Sequence, residues 1–177
     1  YSQYMPTKQK KMFQKTPDFD VLSEEPEKAA TILKERLEDF DYKGVKIIKR
    51  DGIGEVVAPH FEIKVKIGKI EETVAFIYKP LACHSYNIIK KGNKSVRVAT
   101  IDTMLSFYLA FLFVDRDYYM KNRIICMCEY LFKAQKRNKL KQKGLLKRFS
   151  IDCYGEQITI QRMRAEKTEM FNKLKNK

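Results

Sequence analysis

Several residue types are scarce in this 177-residue chain, and each shortage excludes a class of protein. Seven glycines and five prolines are too few for a collagen-like or low-complexity chain. The longest nearly continuous apolar stretch, Met104 to Val114, is well short of the roughly 20 residues that cross a bilayer. A buried helix is therefore predicted there, and no membrane partner is expected.

Cysteine and histidine are also few, and their spacing argues against a structural zinc site. The four cysteines form no C-x-x-C pair, and only His60 and His84 could complete a set of ligands. Scattered thiols in a lysine-rich chain that opens without a signal peptide favour a reducing compartment over a disulfide framework. Because Tyr1 stands where an initiator methionine would, we expect the chain to be a piece of a longer protein.

Basic and aromatic residues, by contrast, are abundant. Lysine and arginine number 36 against 22 aspartates and glutamates, a net charge of +14 that favours a polyanionic partner. Ten tyrosines, 11 phenylalanines and 44% hydrophobic content predict a folded chain. The charge changes sign locally, because residues 1–15 are basic whereas residues 16–44 hold nine acids and four basic residues.

The hydrophobic pattern divides the chain into three segments. Residues 1–15 show no periodicity and are predicted to be a basic arm or loop, residues 16–98 to be a mixed core, and residues 99–177 to be a helical portion with a basic stretch. The elements predicted within them are a strand at 18–22, a helix at 26–40 ended by Gly44, strand-like runs at 45–48, 56–67 and 73–78, a short strand through Val96 and Val98, and helices at 102–114 (capped by Asp102), 118–136 and 161–175.

Asp18 and Asp20 are the strongest candidates for chemistry. They are one residue apart on a predicted strand, so both carboxylates project from one face while Phe19 and Val21 point into the core. Paired carboxylates suit Mg²⁺, which takes one or two protein carboxylates together with waters and substrate phosphates. A third acid from a neighbouring strand would complete a two-metal site, and Glu62 is the candidate.

A second Asp-Phe-Asp tripeptide, residues 39–41, is an internal control. It lies at the end of a predicted helix in a charged stretch, where a solvated turn is the expected structure. Residues 18–20 differ because they follow Thr-Pro, precede Val-Leu and lead into an amphipathic helix. The pattern by itself leaves a solvated turn open as the alternative for residues 18–20 as well.

Four longer stretches carry a family resemblance: residues 15–23 (KTPDFDVLS), 74–87 (VAFIYKPLACHSYN), 98–111 (VATIDTMLSFYLAF) and 143–149 (KGLLKRF) with 153–155 (CYG). They resemble the poly(A) polymerase catalytic subunits of large nucleocytoplasmic DNA viruses, of the mimivirus type, within the nucleotidyltransferase superfamily. The resemblance implies an α+β fold with a polymerase-beta-like mixed sheet and flanking helices, followed by a helical portion.

Two departures from the superfamily pattern stand out. No Gly-Ser or Gly-Gly turn precedes the acidic pair, so we expect this phosphate-holding turn in an N-terminal part that is missing here, and we expect the piece alone to be inactive. Relatives often carry the third acid on the strand that ends just before a proline, where this chain has Phe76. Glu62 therefore stays the candidate for the third acid, with Glu72 in reserve.

The resemblance implies template-independent polyadenylation of RNA 3′ ends, with AMP transferred from ATP. Asp18, Asp20 and Glu62 would be the catalytic carboxylates and would bind two Mg²⁺ or Mn²⁺ ions. The alternative is a non-catalytic copy of the same fold that serves RNA binding or dimerisation, and a homodimer is left open as a partner. A viral enzyme of this kind is expected in the virion and in the host cytoplasm, at the virus factory.

Further candidates would hold the nucleotide and the RNA. Tyr86 and Asn87 could hold a base or ribose, and Lys121 and Arg123 could reach the triphosphate; turn capping and surface charge are the alternatives. The acid-free stretch at 134–148 is predicted to bind RNA phosphates. Its basic residues are Lys136, Arg137, Lys139, Lys141, Lys143, Lys147 and Arg148.

Overall fold

The structure is a computed structural model that describes residues 1–14, 17–137, 143–148 and 150–175, with only the backbone of residues 9 and 12. A mixed four-stranded sheet, a smaller antiparallel sheet and packed helices place it in the α+β class, as predicted. The elements are α1 (Thr7–Phe13), β1 (Phe19–Leu22), α2 (Pro26–Asp39), β2 (Lys43–Arg50), β3 (His60–Ile67), β4 (Ile70–Tyr78), β5 (His84–Lys91), β6 (Lys94–Ala99), α3 (Ile101–Val114), α4 (Lys121–Arg137), β7 (Cys153–Tyr154) and α5 (Ile160–Lys175), with 3₁₀ turns at Ser2–Tyr4 and Gly144–Leu146.

The larger sheet has the strand order β1-β4-β3-β2. Strand β1 runs parallel to β4, and the other neighbours are antiparallel. The predicted alternation along β3 buries Phe61, Ile63 and Val65 on the face that α2 covers, whereas Ile67 at the end of the same row is 49% exposed. The opposite face carries Phe76 and Tyr78 of β4, which pack against α3 and α4. Helices therefore cover both faces of the sheet.

Helix α3 is the buried helix that the apolar stretch predicted. Its residues Ile101, Tyr108 and Phe111 join Phe76 and Tyr78 in one cluster, so this core crosses the predicted segment boundary between residues 98 and 99. Within the described part of the chain, no helix is both long and apolar enough to cross a membrane.

The smaller sheet has the order β6-β5-β7 and is fastened by a disulfide. Cys83, just before β5, is bonded to Cys153 in β7, with the two Cα atoms 5.3 Å apart. The expectation of reduced, scattered thiols is therefore wrong for this pair, although Cys126 and Cys128 are free. The reason is long-range pairing: β7 lies beside β5 and brings together two cysteines that are 70 positions apart.

Residues 1–14 contain a 3₁₀ turn and α1, so the prediction of an arm or loop is wrong for them. The Tyr1 hydroxyl lies 2.9 Å from the carbonyl oxygen of Ala99 and 3.0 Å from that of Leu145. These contacts dock the segment against distant parts of the chain. A helix of seven residues is too short to show a clear hydrophobic period, which explains the error.

Two predicted helix ends are also corrected. Helix α2 ends before Asp41, which itself takes the left-handed conformation with φ 63°, while Gly44 lies inside β2 at a register irregularity. At the start of α3 the cap is Thr100, whose hydroxyl accepts a hydrogen bond from the Thr103 amide at 3.3 Å. Asp102 lies in the first turn of that helix instead.

Candidate active site

The acidic pair lies at the edge strand of the larger sheet, with Asp20 in β1 and Asp18 one residue before β1, and faces the helices. The register places Asp20 beside Phe76, and Asp18, two residues earlier and before the paired register, lines the same pocket as Asp20. Phe19 and Val21 alternate to the α2 side but are 67% and 43% exposed. The prediction that they point into the core is wrong, because α2 packs mainly on β2, β3 and β4 and leaves the edge strand uncovered.

A cavity of about 700 Å³ opens in front of the two carboxylates. Its walls come from β1, β4, β6, α3, α4 and the N-terminal segment, and most of the lining side chains are apolar or aromatic. Phe76, Phe107, Tyr118 and Met127 are examples. A volume of this size lies within the range of small-molecule binding sites, roughly 300–1,000 Å³. The pair is therefore a polar element in a mostly apolar pocket.

Arg123, in the first turn of α4, reaches across the cavity to the pair. Its Nη2 lies 2.8 Å from Oδ1 of Asp18, and the two side chains are 22% and 28% exposed. The guanidinium also lies 5.9 Å from the centre of the Phe13 ring. The structure thus brings together a carboxylate and a cation that are 105 positions apart in the sequence.

Asp20 has an unusual environment for a carboxylate. Desolvation by the surrounding protein, followed by repulsion from Asp18, raises the pKa of Asp20 to about 7. A hydrogen bond with the Tyr78 hydroxyl and the charge of Arg123 act in the opposite direction. Because the cavity keeps Asp20 open to solvent, its carboxyl can exchange a proton near neutral pH.

Three tyrosines that line the same cavity as Asp20 were all missed by the sequence analysis. Burial raises the pKa of Tyr78, Tyr108 and Tyr119, and the nearby negative charge of Asp20 raises each pKa further. Their hydroxyls therefore stay protonated. The one available signal was that Tyr78 alternates with Phe76 on a strand, but nothing local shows that β4 pairs with β1.

Glu62 lies in the same row of the sheet as Asp20, yet the structure does not bring it to the pair. Phe76 stands between them, so about 10 Å separates the Cα atoms of Asp20 and Glu62. The Glu62 carboxylate accepts hydrogen bonds from Nε of Arg50 at 2.9 Å and from Thr73 at 2.6 Å. Burial alone would raise the pKa of Glu62, but these partners lower it below its ordinary value.

The two carboxylates of the pair fit one side of a Mg²⁺ or Mn²⁺ site. They are hard oxygen ligands beside a cavity with room for water and substrate oxygens. Within residues 1–14, 17–137, 143–148 and 150–175, there is no group of three or more His, Cys, Asp or Glu side chains that could hold a metal ion. The reserve acid Glu72 lies four residues before Phe76 along β4, about 13 Å from it. Asp18 and Asp20 are therefore the candidate acids that fit a metal site here.

Of the four nucleotide-binding candidates, Arg123 alone lines the cavity. Lys121 forms an ion pair on the exposed side of α4. The Tyr86 ring lies under the guanidinium of Arg97 in β6, and 5.2 Å separates the guanidinium carbon from the ring centre. Asn87 is buried, and its amide donates to the carbonyl oxygen of Lys147 at 2.9 Å. Tyr86 and Asn87 therefore support the smaller sheet and the segment beside it.

The predicted RNA-binding residues are spread over two places. Lys136 and Arg137 are exposed at the end of α4, and the other described ones flank the second 3₁₀ turn. Among these, the Arg148 guanidinium lies 3.2 Å from the Asp102 carboxylate. Lys139 and Lys141 lie outside the described residues, as do Lys15 and Phe149.

Comparison with known proteins gives no relative. No family model matches the chain, and neither a curated protein nor a solved structure is similar to it. The assignment to the viral poly(A) polymerases therefore stays a prediction from the four stretches of sequence.

Proposed function

We propose that this protein transfers AMP from ATP to the 3′ end of RNA without a template, on a nucleotidyltransferase-type fold. The observation that carries the proposal is the placement of Asp18 and Asp20 together at an edge strand, in the wall of a cavity of about 700 Å³. The resemblance of residues 15–23 and 74–87 to the viral enzymes covers this strand and its parallel neighbour β4.

In the proposed reaction, the RNA 3′-hydroxyl oxygen attacks the α-phosphorus of ATP, and the bond to the pyrophosphate oxygen breaks. Asp18 and Asp20 would hold Mg²⁺ or Mn²⁺, which when bound lowers the pKa of the hydroxyl and neutralises charge on the leaving group. The contribution of the protein is to position the two substrates in this cavity.

The RNA itself is proposed to bind to the basic residues at the end of α4 and beside the second 3₁₀ turn. Lys136, Arg137, Lys143 and Lys147 are exposed, so their charges are available to phosphates. Such contacts supply affinity that depends on salt but does not read the base sequence.

The test is incorporation of radiolabelled ATP into an oligo(A) primer by the full-length protein, with Mg²⁺ or Mn²⁺. The double variant Asp18→Asn/Asp20→Asn is expected to lose at least about 100-fold in rate, because the cation loses both protein ligands. The matched control is Asp39→Asn/Asp41→Asn, which changes the same tripeptide elsewhere and is expected to stay within about twofold of wild type.

The second candidate is a non-catalytic module of the same fold that binds RNA or forms dimers. It is favoured by the environment of Glu62, which is held by Arg50 and Thr73 instead of facing the acidic pair. If the full-length protein extends no primer, or if extension survives the double substitution, the proposed activity at this pair is refuted. RNA binding without extension would then support the second candidate.

A further inference from the structure

Both cations in the first turn of α4 are held by carboxylates from outside the helix. Lys121 pairs with Asp115 at 2.8 Å, and Arg123 pairs with Asp18 at 2.8 Å. The first turn itself contains no acid. A cation at a helix N-terminus meets the positive end of the helix dipole, so Arg123 is in an unfavourable position unless an anion is beside it. Asp18 is one such anion.

The ion pair between Arg123 and Asp18 is partly enclosed by the protein. About a fifth of the Arg123 side chain and about a quarter of the Asp18 side chain remain exposed, and the Phe13 ring lies beside the guanidinium at 5.9 Å. The ion pair points into the cavity wall, because Asp18, Phe13 and Arg123 all line it. The guanidinium therefore occupies a position at Oδ1 of Asp18 that a metal ion bound to this oxygen would need.

We propose that Arg123 is the resident counter-ion of the acidic pair, which a divalent cation must displace from Asp18 before it can bind there. The inference rests on the proposed function, since it describes how the cation site of that function is regulated. Two cations cannot approach the same carboxylate oxygen closely without strong repulsion. Metal entry and release of the guanidinium are therefore one event.

The displaced guanidinium has a use in the same cavity. Once it leaves Asp18, the Arg123 guanidinium still lines the cavity at the positive end of α4, where it can donate to an anionic ligand. A phosphate group that arrives with the metal ion would place negative charge beside this guanidinium. The arrangement keeps the arginine on Asp18 when the metal is absent and turns it to the phosphate when the metal is present. Arg123 is thus a positioning residue that couples the two ligands.

The test is a titration with Mn²⁺ alone, with free Mn²⁺ measured by electron paramagnetic resonance and no nucleotide present. Relative to the wild-type protein, Arg123→Gln is expected to bind Mn²⁺ about threefold to fivefold more tightly, because the competing cation is gone. Lys133→Gln removes one positive charge further along α4, where Lys133 pairs with Glu129, and is the control for long-range electrostatics. Arg123→Lys retains a cation and is expected to remain close to wild type.

The outcomes separate this inference from the proposed function. Unchanged or weaker Mn²⁺ binding in Arg123→Gln, while Asp18→Asn abolishes binding, would refute the counter-ion and leave the cation site standing. Absence of Mn²⁺ binding in both the wild-type protein and Arg123→Gln would refute the cation site itself. A purely structural arginine would give weaker binding and a lower melting temperature, never tighter binding.

A second measurement needs no variant in the binding experiment and so does not depend on how a variant folds. Arginine side chains labelled with ¹⁵N are observed by NMR during a titration with Mg²⁺, with Arg123→Lys used to assign the Nε signal. Displacement predicts that the Arg123 signal moves toward that of a solvent-exposed arginine as Mg²⁺ binds. A signal that does not move while Mg²⁺ binds would overturn the inference.

Discussion

The chain contains the tripeptide Asp-Phe-Asp twice, and the two copies meet different fates. At 18–20 the chain is extended at an edge strand, and both carboxylates face a cavity opposite Arg123. At 39–41 the tripeptide closes helix α2, and its acids pair with Arg36 and Lys43 on the surface. The Asp41 side chain is 94% exposed, against 28% for that of Asp18.

The difference shows that the backbone conformation decides what an acidic pair can do. In a strand, residues two apart share a face, so their carboxylates lie close together and a third group can contact both. At 39–41 the first acid is the last residue of the helix and Asp41 has φ 63°, so the two carboxylates do not share such a face. The same Asp-Phe-Asp tripeptide therefore forms a candidate site at residues 18–20 and a solvated helix end at residues 39–41.

The largest expected effect that separates the two copies is on pH-dependent stability. The pKa of Asp20 is about 7 in the folded protein and about 3.9 in an unfolded chain, so the folded state holds the extra proton between these values. The contribution of Asp20 to the free energy of unfolding therefore falls as the pH rises from about 4 to 7. Asp20→Asn is expected to gain about 1–2 kcal/mol at pH 8, after allowance for solvent screening, and less at pH 5.

Urea denaturation at pH 5 and pH 8 measures this gain. Asp39→Asn, at an exposed helix end, is the control and is expected to change the unfolding free energy by less than about 0.5 kcal/mol at either pH. A gain in Asp20→Asn that does not grow between pH 5 and pH 8 would contradict the unusual environment of the Asp20 carboxylate.

A smaller effect should distinguish the two acids within the second copy. Asp41 is left-handed, and glycine adopts this conformation without strain, so Asp41→Gly is expected to stabilise by about 0.5 kcal/mol. Asp39 is the last helical residue of α2, where glycine is expected to cost about 0.5–1 kcal/mol. Thermal unfolding of the two variants measures both changes, and a shared sign would mean that α2 does not end where the structure places its end.

The smallest effect concerns the central phenylalanines. Phe19 is 67% exposed and Phe40 is 76% exposed, so each change to alanine is expected to cost less than about 0.5 kcal/mol of unfolding free energy. Similar small losses would show that the acids and the backbone, rather than the apolar residue, make the two copies differ. A loss above about 1 kcal/mol for Phe19→Ala alone would instead mean that Phe19 is a core residue.

Much of the fold was predictable because it depends on short-range patterns. The alternation along β3 and the four-residue spacing of Ala29, Leu33 and Leu37 in α2 are local signals, and the structure confirms both elements. The strand that carries the acidic pair was predicted in the same way. The exposure of Phe19 was not, because alternation gives the two faces of a strand but not which of them is covered.

The candidate site was predictable only in part. Asp18 and Asp20 could be found because their spacing and their strand are both local features. The partners of Glu62 could not, because Arg50 and Thr73 meet it only across β2, β3 and β4. The Cys83–Cys153 disulfide likewise depends on the pairing of β5 with β7.

The sequence by itself determined the charge of +14, the elements with a clear hydrophobic period, and the shared face of Asp18 and Asp20. Tertiary structure decided which groups face that pair: Arg123 from α4, the tyrosines from β4 and from the helical half, and the cavity that all of them line. The physical reason is the separation along the sequence of the residues that interact. A residue's periodic position is fixed by its neighbours in sequence, whereas an ion pair over 105 positions follows from the packing of whole helices and strands.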